Sequence, residues 1–249
     1  MVILKQPAEI DRIRDSNRIV AEVLAALQER VKAGVTTLEL DRISEEMVLR
    51  KGAKPAFKGY RGYPFSLCAS VNDEIIHGLP SARVLVEGDI VGLDFGVYYK
   101  GYYGDAAITV PVGKIPPETG SLLKTTEESL ALAIAQARPG NRVGDISAAV
   151  QSHVEAAGYS VVRDFVGHGI GRNLHEEPQV PNYGVKGRGT PLRVGMVLAI
   201  EPMVNAGTCK VKMRADGWTA VTADGALSAH FEHTVAITEK GPEILSRRH

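Results

Sequence analysis

Apolar residues recur at helical spacing in two pairs of segments, and each pair is followed by runs of strand length. From Glu9 to about Lys32, the residues Ile10, Ile13, Val20, Val23, Leu24, Leu27 and Val31 fall at three- and four-residue steps. That is the stripe of an amphipathic helix. Gly34 can supply a left-handed residue to end it. Thr36-Thr37-Leu38-Glu39 reads as a capping box. It opens a second helix with Leu40, Ile43 and Met47 inward and Gly52 at its end.

The order then repeats. Glu118 to Gln136, with Leu122, Leu123, Leu130 and Ile134, predicts a third helix ending at Gly140. A fourth carries Val143, Ile146, Val150 and Val154 and ends at Gly158. Gly34 and Gly140, and Gly52 and Gly158, share one offset of 106 residues. This suggests a duplication with halves at about 8–114 and 115–240. Strand-like runs follow each helix pair: Ser66–Ile76, Asp89–Tyr98 and Tyr102–Val112 in the first half. In the second they are Ser160–Phe165, Met196–Val204, Trp218–Thr222 and Ala229–Ile237. Returning strands joined by short turns predict an α+β fold, a mostly antiparallel sheet with the helices on one face. Lys114-Ile115-Pro116-Pro117 is the joint between the halves, and 1–249 reads as a single domain.

Composition narrows the class. The 249 residues hold 29 Lys+Arg against 29 Asp+Glu, which lacks the basic excess of a dedicated nucleic-acid binder. An apolar content of 44% and a mean hydropathy of −0.05 fit a globular chain. Two cysteines, Cys68 and Cys209, build neither a disulfide framework nor a thiolate zinc site and point to a reducing compartment. The start Met1-Val2-Ile3-Leu4-Lys5-Gln6-Pro7 does not read as a signal peptide. With no 18-residue apolar run, the expectation is a cytoplasmic protein without a membrane span.

The candidate chemistry is acidic. Asp94 and Asp105 lie on two strand-like runs around the tip Tyr99-Lys100-Gly101. A turn at Tyr99-Lys100 sets them opposite one another, and a turn at Lys100-Gly101 sets them diagonally on one face. Two carboxylates so placed repel, and a cation between them removes the conflict. Gly167-His168-Gly169-Ile170-Gly171-Arg172-Asn173-Leu174-His175 sets two histidines in a glycine-rich stretch, where glycine permits close backbone approach. Glu201 ends the apolar run Val197–Ile200, and Glu232 sits within another strand-like run. Buried acids are seldom unpaired. Four of them with an imidazole favour a divalent site of Mn²⁺, Fe²⁺, Co²⁺ or Zn²⁺, and five ligands exceed what one ion usually takes. His175-Glu176-Glu177-Pro178 is not the zincin motif. No dinucleotide fingerprint or nucleophile elbow is present.

Asp94, Asp105, His168, Glu201 and Glu232 stand in the order Asp, Asp, His, Glu, Glu of the dinuclear metallopeptidases of the M24 family. The phrases around them resemble type I methionine aminopeptidases. They are Ser70-Val71-Asn72-Asp73-Glu74-Ile75-Ile76-His77-Gly78, Gly167-His168-Gly169-Ile170-Gly171, His175-Glu176-Glu177-Pro178-Gln179-Val180 and Ala199-Ile200-Glu201-Pro202. The resemblance runs from about Ile10 to Ile237, and the short spacing of His175 and Glu201 is similar to the bacterial short form.

The resemblance implies the pita-bread fold, a curved sheet with helices on its outer face and two pseudo-symmetric halves. It implies removal of initiator methionine before a small, uncharged second residue, with a metal-bridging hydroxide as nucleophile. Asp94 would chelate one ion, Asp105 and Glu232 would bridge both, and His168 and Glu201 would complete the second. Glu201 would carry the proton, His175 would hydrogen-bond the oxyanion, and His77 would hold the departing nitrogen. Tyr60, Tyr63, Phe65, Cys68 and Trp218 would form the methionine pocket. A monovalent cation, Na⁺ or K⁺, would sit near the Asn72 loop and Ser228. The partner implied is a nascent polypeptide N-terminus, with a transient ribosome contact left open, no nucleic-acid substrate, no membrane and a monomeric state. Phe57, Arg61 and Leu174 depart from residues frequent in the family. Two other readings are a metal-free binding module, which would require lost ligands, and an exopeptidase cleaving before proline, which would require an extra N-terminal domain.

Overall fold

The computed structural model describes residues 2–247; Met1, Arg248 and His249 lie outside the described residues. Helices α1 (Pro7–Arg30), α2 (Thr37–Arg50), α3 (Pro117–Gln136) and α4 (Val143–Ala156) lie where the periodicity predicts them. α1 starts earlier than the stripe suggests, because Pro7 occupies its first position, where the ring's fixed φ suits a helix start. Glu9 Oε2 accepts the Gln6 N–H at 3.0 Å. Thr36 caps α2, its Oγ1 accepting the Glu39 N–H at 3.2 Å. Gly34 does not end α1: the helix closes at Val31, and Gly34 bends the following loop at φ +94°. Gly140 stands the same distance beyond the end of α3, at φ +92°. α2 and α4 have equal length and repeat the glycine offset at both ends.

The strands are β1 (Lys54–Pro55), β2 (Cys68–Val71), β3 (Glu74–Ile76), β4 (Ile90–Tyr99), β5 (Tyr102–Pro111), β6 (Ser160–Val161), β7 (Gly167–Gly169) and β8 (Glu176–Val180). They continue as β9 (Val197–Ile200), β10 (Met203–Asn205), β11 (Val211–Met213), β12 (Ala220–Thr222), β13 (Ser228–His230), β14 (Glu232–Thr238) and β15 (Gly241–Ile244). Nine of them form one sheet in the order β1-β4-β5-β14-β9-β7-β8, with β2 also on β4 and β15 on β14. The remaining six form two three-stranded sheets. Every pairing between these strands is antiparallel.

Several runs read as single strands are broken. Pro202, which has no N–H to donate, separates β9 from β10, and Phe231 separates β13 from β14, each time moving the chain from one sheet to another. The turn at Asn72-Asp73 divides β2 from β3. Ser160–Phe165 shortens to β6, and Trp218–Thr222 to β12. β7 and β8 escape a periodicity reading because glycines and polar residues fill them.

The apolar stripe of α1, including Val20, Val23, Leu24 and Leu27, packs in one cluster with Leu93, Phe95 and Val97 of β4. Each such side chain contributes roughly 1.5–3 kcal/mol by leaving water. Asn17, also buried on α1, ties the helix to the sheet: its Oδ1 accepts the Asp105 N–H at 3.2 Å. Gly104 permits the approach, since a Cβ there would lie 2.7 Å from the Asn17 nitrogen.

The segment before α1 is pinned across the opposite end of the sheet. The Lys5 N–H donates to Gly195 O at 2.7 Å. Lys5 Nζ pairs with Glu176 Oε2 at 2.7 Å, with both side chains under 5% exposed. Glu176 Oε1 also accepts the Asn173 N–H at 3.1 Å, which holds the loop leading to His175. Removing one partner of a buried pair strands the other charge. Lys5→Met is therefore expected to lower the unfolding free energy by about 3–5 kcal/mol in urea titrations. An unchanged midpoint and slope would show the pair to be idle.

Candidate metal centre

Strand alternation and register set four acids and an imidazole on one face of the nine-stranded sheet. The turn between β4 and β5 lies at Lys100-Gly101, with φ of +48° and +87°. Tyr99 therefore pairs with Tyr102, Asp94 with Ala107, and Gly96 with Asp105, so the two aspartates are diagonal neighbours. Asp94 also faces Cys68 of β2, and Ala107 faces Glu232 of β14. Cys68, Asp94, Ala107 and Glu232 thus form one row across four strands, with the small Ala107 leaving room in the middle. On β9, Ala199 pairs with both Thr234 and His168. Glu201, two residues beyond Ala199, falls on the same side by alternation. Leu93, Phe95 and Val97 point the other way, into the helices.

His168 is delivered by glycines that leave no room for a side chain. A Cβ on Gly167 would meet Ala199 O at 2.4 Å, and one on Gly169 would meet Glu177 O at 2.3 Å. His168 Nδ1 donates to Gly169 O at 2.9 Å, which fixes the tautomer and leaves the Nε2 lone pair free to ligate. That nitrogen lies 3.6 Å from Glu201 Oε1. Asp105, His168 and Glu232 each offer an atom within 4.8 Å of the others, and Asp94 and Glu201 flank this trio around one cavity.

The electrostatics are strained. Burial pushes the Asp94 carboxyl up to about 7 and the Glu201 carboxyl up to about 8. Burial and the neighbouring acids raise Asp105 and Glu232 well above the ordinary range. Asp94 Oδ1, Asp105 Oδ1 and Glu232 Oε1 are buried without a hydrogen-bond partner among the described residues. Unpaired buried acceptors are costly. Three orphaned carboxylate oxygens facing one neutral imidazole have the chemistry of a divalent-cation site, so these residues fit the metal.

The cavity, about 170 Å³, is lined by these five residues with Phe57, Tyr60, Arg61, Tyr63, Cys68, His77, Leu174, His175 and Trp218. His175 Nδ1 is 2.8 Å from the Tyr60 hydroxyl, and its ring lies 4.3 Å from that of His168, centroid to centroid. Burial and then Arg61 hold His175 below the usual imidazole range. Burial, His230 and His175 lower His77 to about 4, and the His77 ring stands edge-on to Phe165 at 5.8 Å. Tyr63 and Trp218 meet edge-to-face at 5.2 Å. Asp216 accepts the Trp218 and Thr219 N–H groups and holds the Trp218 turn in place. Burial and Asp94 keep Cys68 a neutral thiol.

Of the residues named from sequence, Phe65 is not among those lining the cavity. It sits behind Tyr63, 6.4 Å ring to ring. Tyr60 both lines the cavity and orients His175. His230 went unassigned, yet its Nε2 stands 3.5 Å from Glu201 Oε2. Its position two residues before Glu232 in the same strand-like run was the available signal.

The chain matches the family model "Metallopeptidase family M24" over residues 11–239. It is 56% identical over 246 residues to a methionine aminopeptidase of Clostridium perfringens, covering 99% of both chains. It superimposes on the crystal structure of methionine aminopeptidase from Thermotoga maritima with a TM-score of 0.98 and 47% identity, each chain covered completely. A prolidase from Pyrococcus horikoshii shares the fold at a TM-score of 0.80 and 24% identity, with 65% of that chain covered. The curved antiparallel sheet with its helices is the pita-bread fold, as the motifs implied.

The raised carboxyls tie metal binding to pH. Against ordinary values of 3.8 for Asp94 and 4.5 for Glu201, the metal-free folded state holds more protons than the unfolded chain up to about pH 8. Its stability contribution from these groups therefore falls as pH rises through that window. Added Mn²⁺ must displace those protons and binds better as they leave. The expected outcome in thermal melts is a metal-free Tm declining from pH 5 to 8 and a Mn²⁺-induced Tm gain that grows over the same range. A gain that does not vary with pH would contradict it.

Proposed function

The chain belongs to metallopeptidase family M24, and we propose that it removes N-terminal methionine from peptides and nascent proteins whose second residue is small and uncharged. The observation that carries this reading is the junction, in one cavity, of the Asp94–Asp105–His168–Glu201–Glu232 cluster with a pocket walled by Tyr63, Cys68 and Trp218. A flexible thioether suits such walls, because sulfur makes favourable contacts with aromatic rings.

Two divalent ions, drawn from Co²⁺, Mn²⁺, Fe²⁺ or Zn²⁺, would be held by Asp94 on one side, His168 and Glu201 on the other, and Asp105 and Glu232 between. Bound there, they would supply Lewis acidity that lowers the pKa of water and polarises the scissile carbonyl. Glu201 takes the proton from the attacking water and delivers it to the leaving amine. The Tyr60 hydroxyl and His175 Nδ1 share a hydrogen bond at 2.8 Å; with the hydroxyl as donor, the ring proton sits on Nε2, where it would stabilise the developing oxyanion. His77, neutral at pH 7, holds the departing nitrogen at the pocket's edge.

The same reading takes residues 8–114 and 115–240 as related halves of one catalytic domain, supported by the matched ends of α2 and α4. It sets a monovalent cation, Na⁺ or K⁺, near Asn72 and Ser228. Asn72 adopts φ +60°, and its carbonyl accepts the Ser228 N–H at 2.9 Å, which brings the two segments together. It also takes the enzyme as a cytoplasmic monomer in transient contact with the ribosome. Among the described residues no helix is long and apolar enough to cross a membrane.

The decisive assay strips the metal and measures cleavage of Met-Ala-Ser, a Leu-first tripeptide and an X-Pro peptide, with Mn²⁺, Co²⁺ or Fe²⁺ restored. The expected result is metal-dependent release of methionine alone. Full activity in chelator, or a preference for X-Pro, would sink the proposal. Glu201→Gln should cut kcat by about 10²–10⁴-fold with the fold intact by circular dichroism. Trp218→Ala should raise KM for Met-Ala-Ser about tenfold or more through lost apolar contact.

A further inference from the structure

His230 has no part in the chemistry assigned above, yet it is only 3% exposed. Its Nε2 has no hydrogen-bond partner among the described residues and lies 3.5 Å from Glu201 Oε2. A small turn of the carboxylate closes that distance to hydrogen-bond length. The backbone beneath the ring is fixed twice by one side chain. The His230 N–H donates to Thr109 Oγ1 at 2.9 Å, and that hydroxyl donates to His230 O at 2.8 Å. Thr109 lies on β5, four residues after Asp105, so the ring is held in register with the acids.

Glu201 is thereby flanked by two imidazoles with opposite tasks. His168 spends its ring proton on Gly169 O and turns a lone pair toward Oε1. On the far side, His230 facing Oε2 with a lone pair would set two acceptors against each other. Facing it with an N–H satisfies both groups. We propose that His230 is a positioning residue of the metal centre, its Nε2–H fixing the carboxylate of Glu201 so that the other oxygen stays directed at the ion shared with His168. This inference rests on the metal-centre reading of the site, though not on methionine as substrate.

The test is calorimetric titration of the metal-free protein with Mn²⁺ in wild type, His230→Leu and His230→Gln, with melting temperatures recorded as a check on folding. Losing the donor should weaken Mn²⁺ binding about 10–100-fold in His230→Leu, and an amide N–H at the same place should keep His230→Gln within about threefold of wild type. Wild-type affinity in His230→Leu, or equal losses in both variants, would overturn the proposal. Should His230→Leu fail to fold, His230→Gln decides: retained affinity supports the donor role, and lost affinity refutes it. Failure of the wild type to bind Mn²⁺ would instead sink the metal-centre reading.

Discussion

Four carboxylates withdrawn from water onto one face of a sheet are the constraint around which the rest of this structure is arranged. Asp94, Asp105, Glu201 and Glu232 each sit where burial favours the protonated form, and neighbouring acids raise Asp94, Asp105 and Glu232 further. Among the described residues no cationic side chain lines the cavity except Arg61, beside the Tyr60 ring. Two basic residues of the first helix and its approach, Lys5 and Arg14, are paired with Glu176 and Glu243 instead. An arrangement that repels itself and excludes the usual counter-ions is one that a divalent cation stabilises. The apolar stripe of α1 packs on the other face of β4 and β5.

The surrounding groups keep that cluster usable by staying neutral. His77, His168 and His175 are all depressed by burial, so none competes as a cation for the acids, and each offers one N–H and one lone pair. For His168 the outer partner sets which atom offers which, because Gly169 O can only accept, while the Tyr60 hydroxyl holds His175 in place at Nδ1. Cys68, in the same cross-strand row as Asp94, remains a thiol for the same reason and serves as apolar wall. One low-polarity enclosure thus raises the acids, keeps the imidazoles neutral and walls the pocket with apolar groups.

What the sequence determined by itself is local in origin. Helix positions follow from the three- and four-residue recurrence of apolar residues, and the α2 start from Thr36 and Glu39, because helix contacts lie within a few residues. The four acids and the imidazole were legible because charged residues in apolar or glycine-rich runs need a reason to be there. Tertiary structure decided what depends on distant partners. The turn at Lys100-Gly101 chose the diagonal placement of Asp94 and Asp105 that spacing left open. Pro202 and Phe231 split runs that alternation joined, since the chain changes sheets there. β7 and β8 exist because Gly167 and Gly169 let neighbouring backbones meet, an approach that periodicity does not record. Phe65 fell behind Tyr63 and His230 came up against Glu201 for the same reason. Alternation assigns a side chain to a face, but only the packed sheets decide which side chains on that face come within reach of each other.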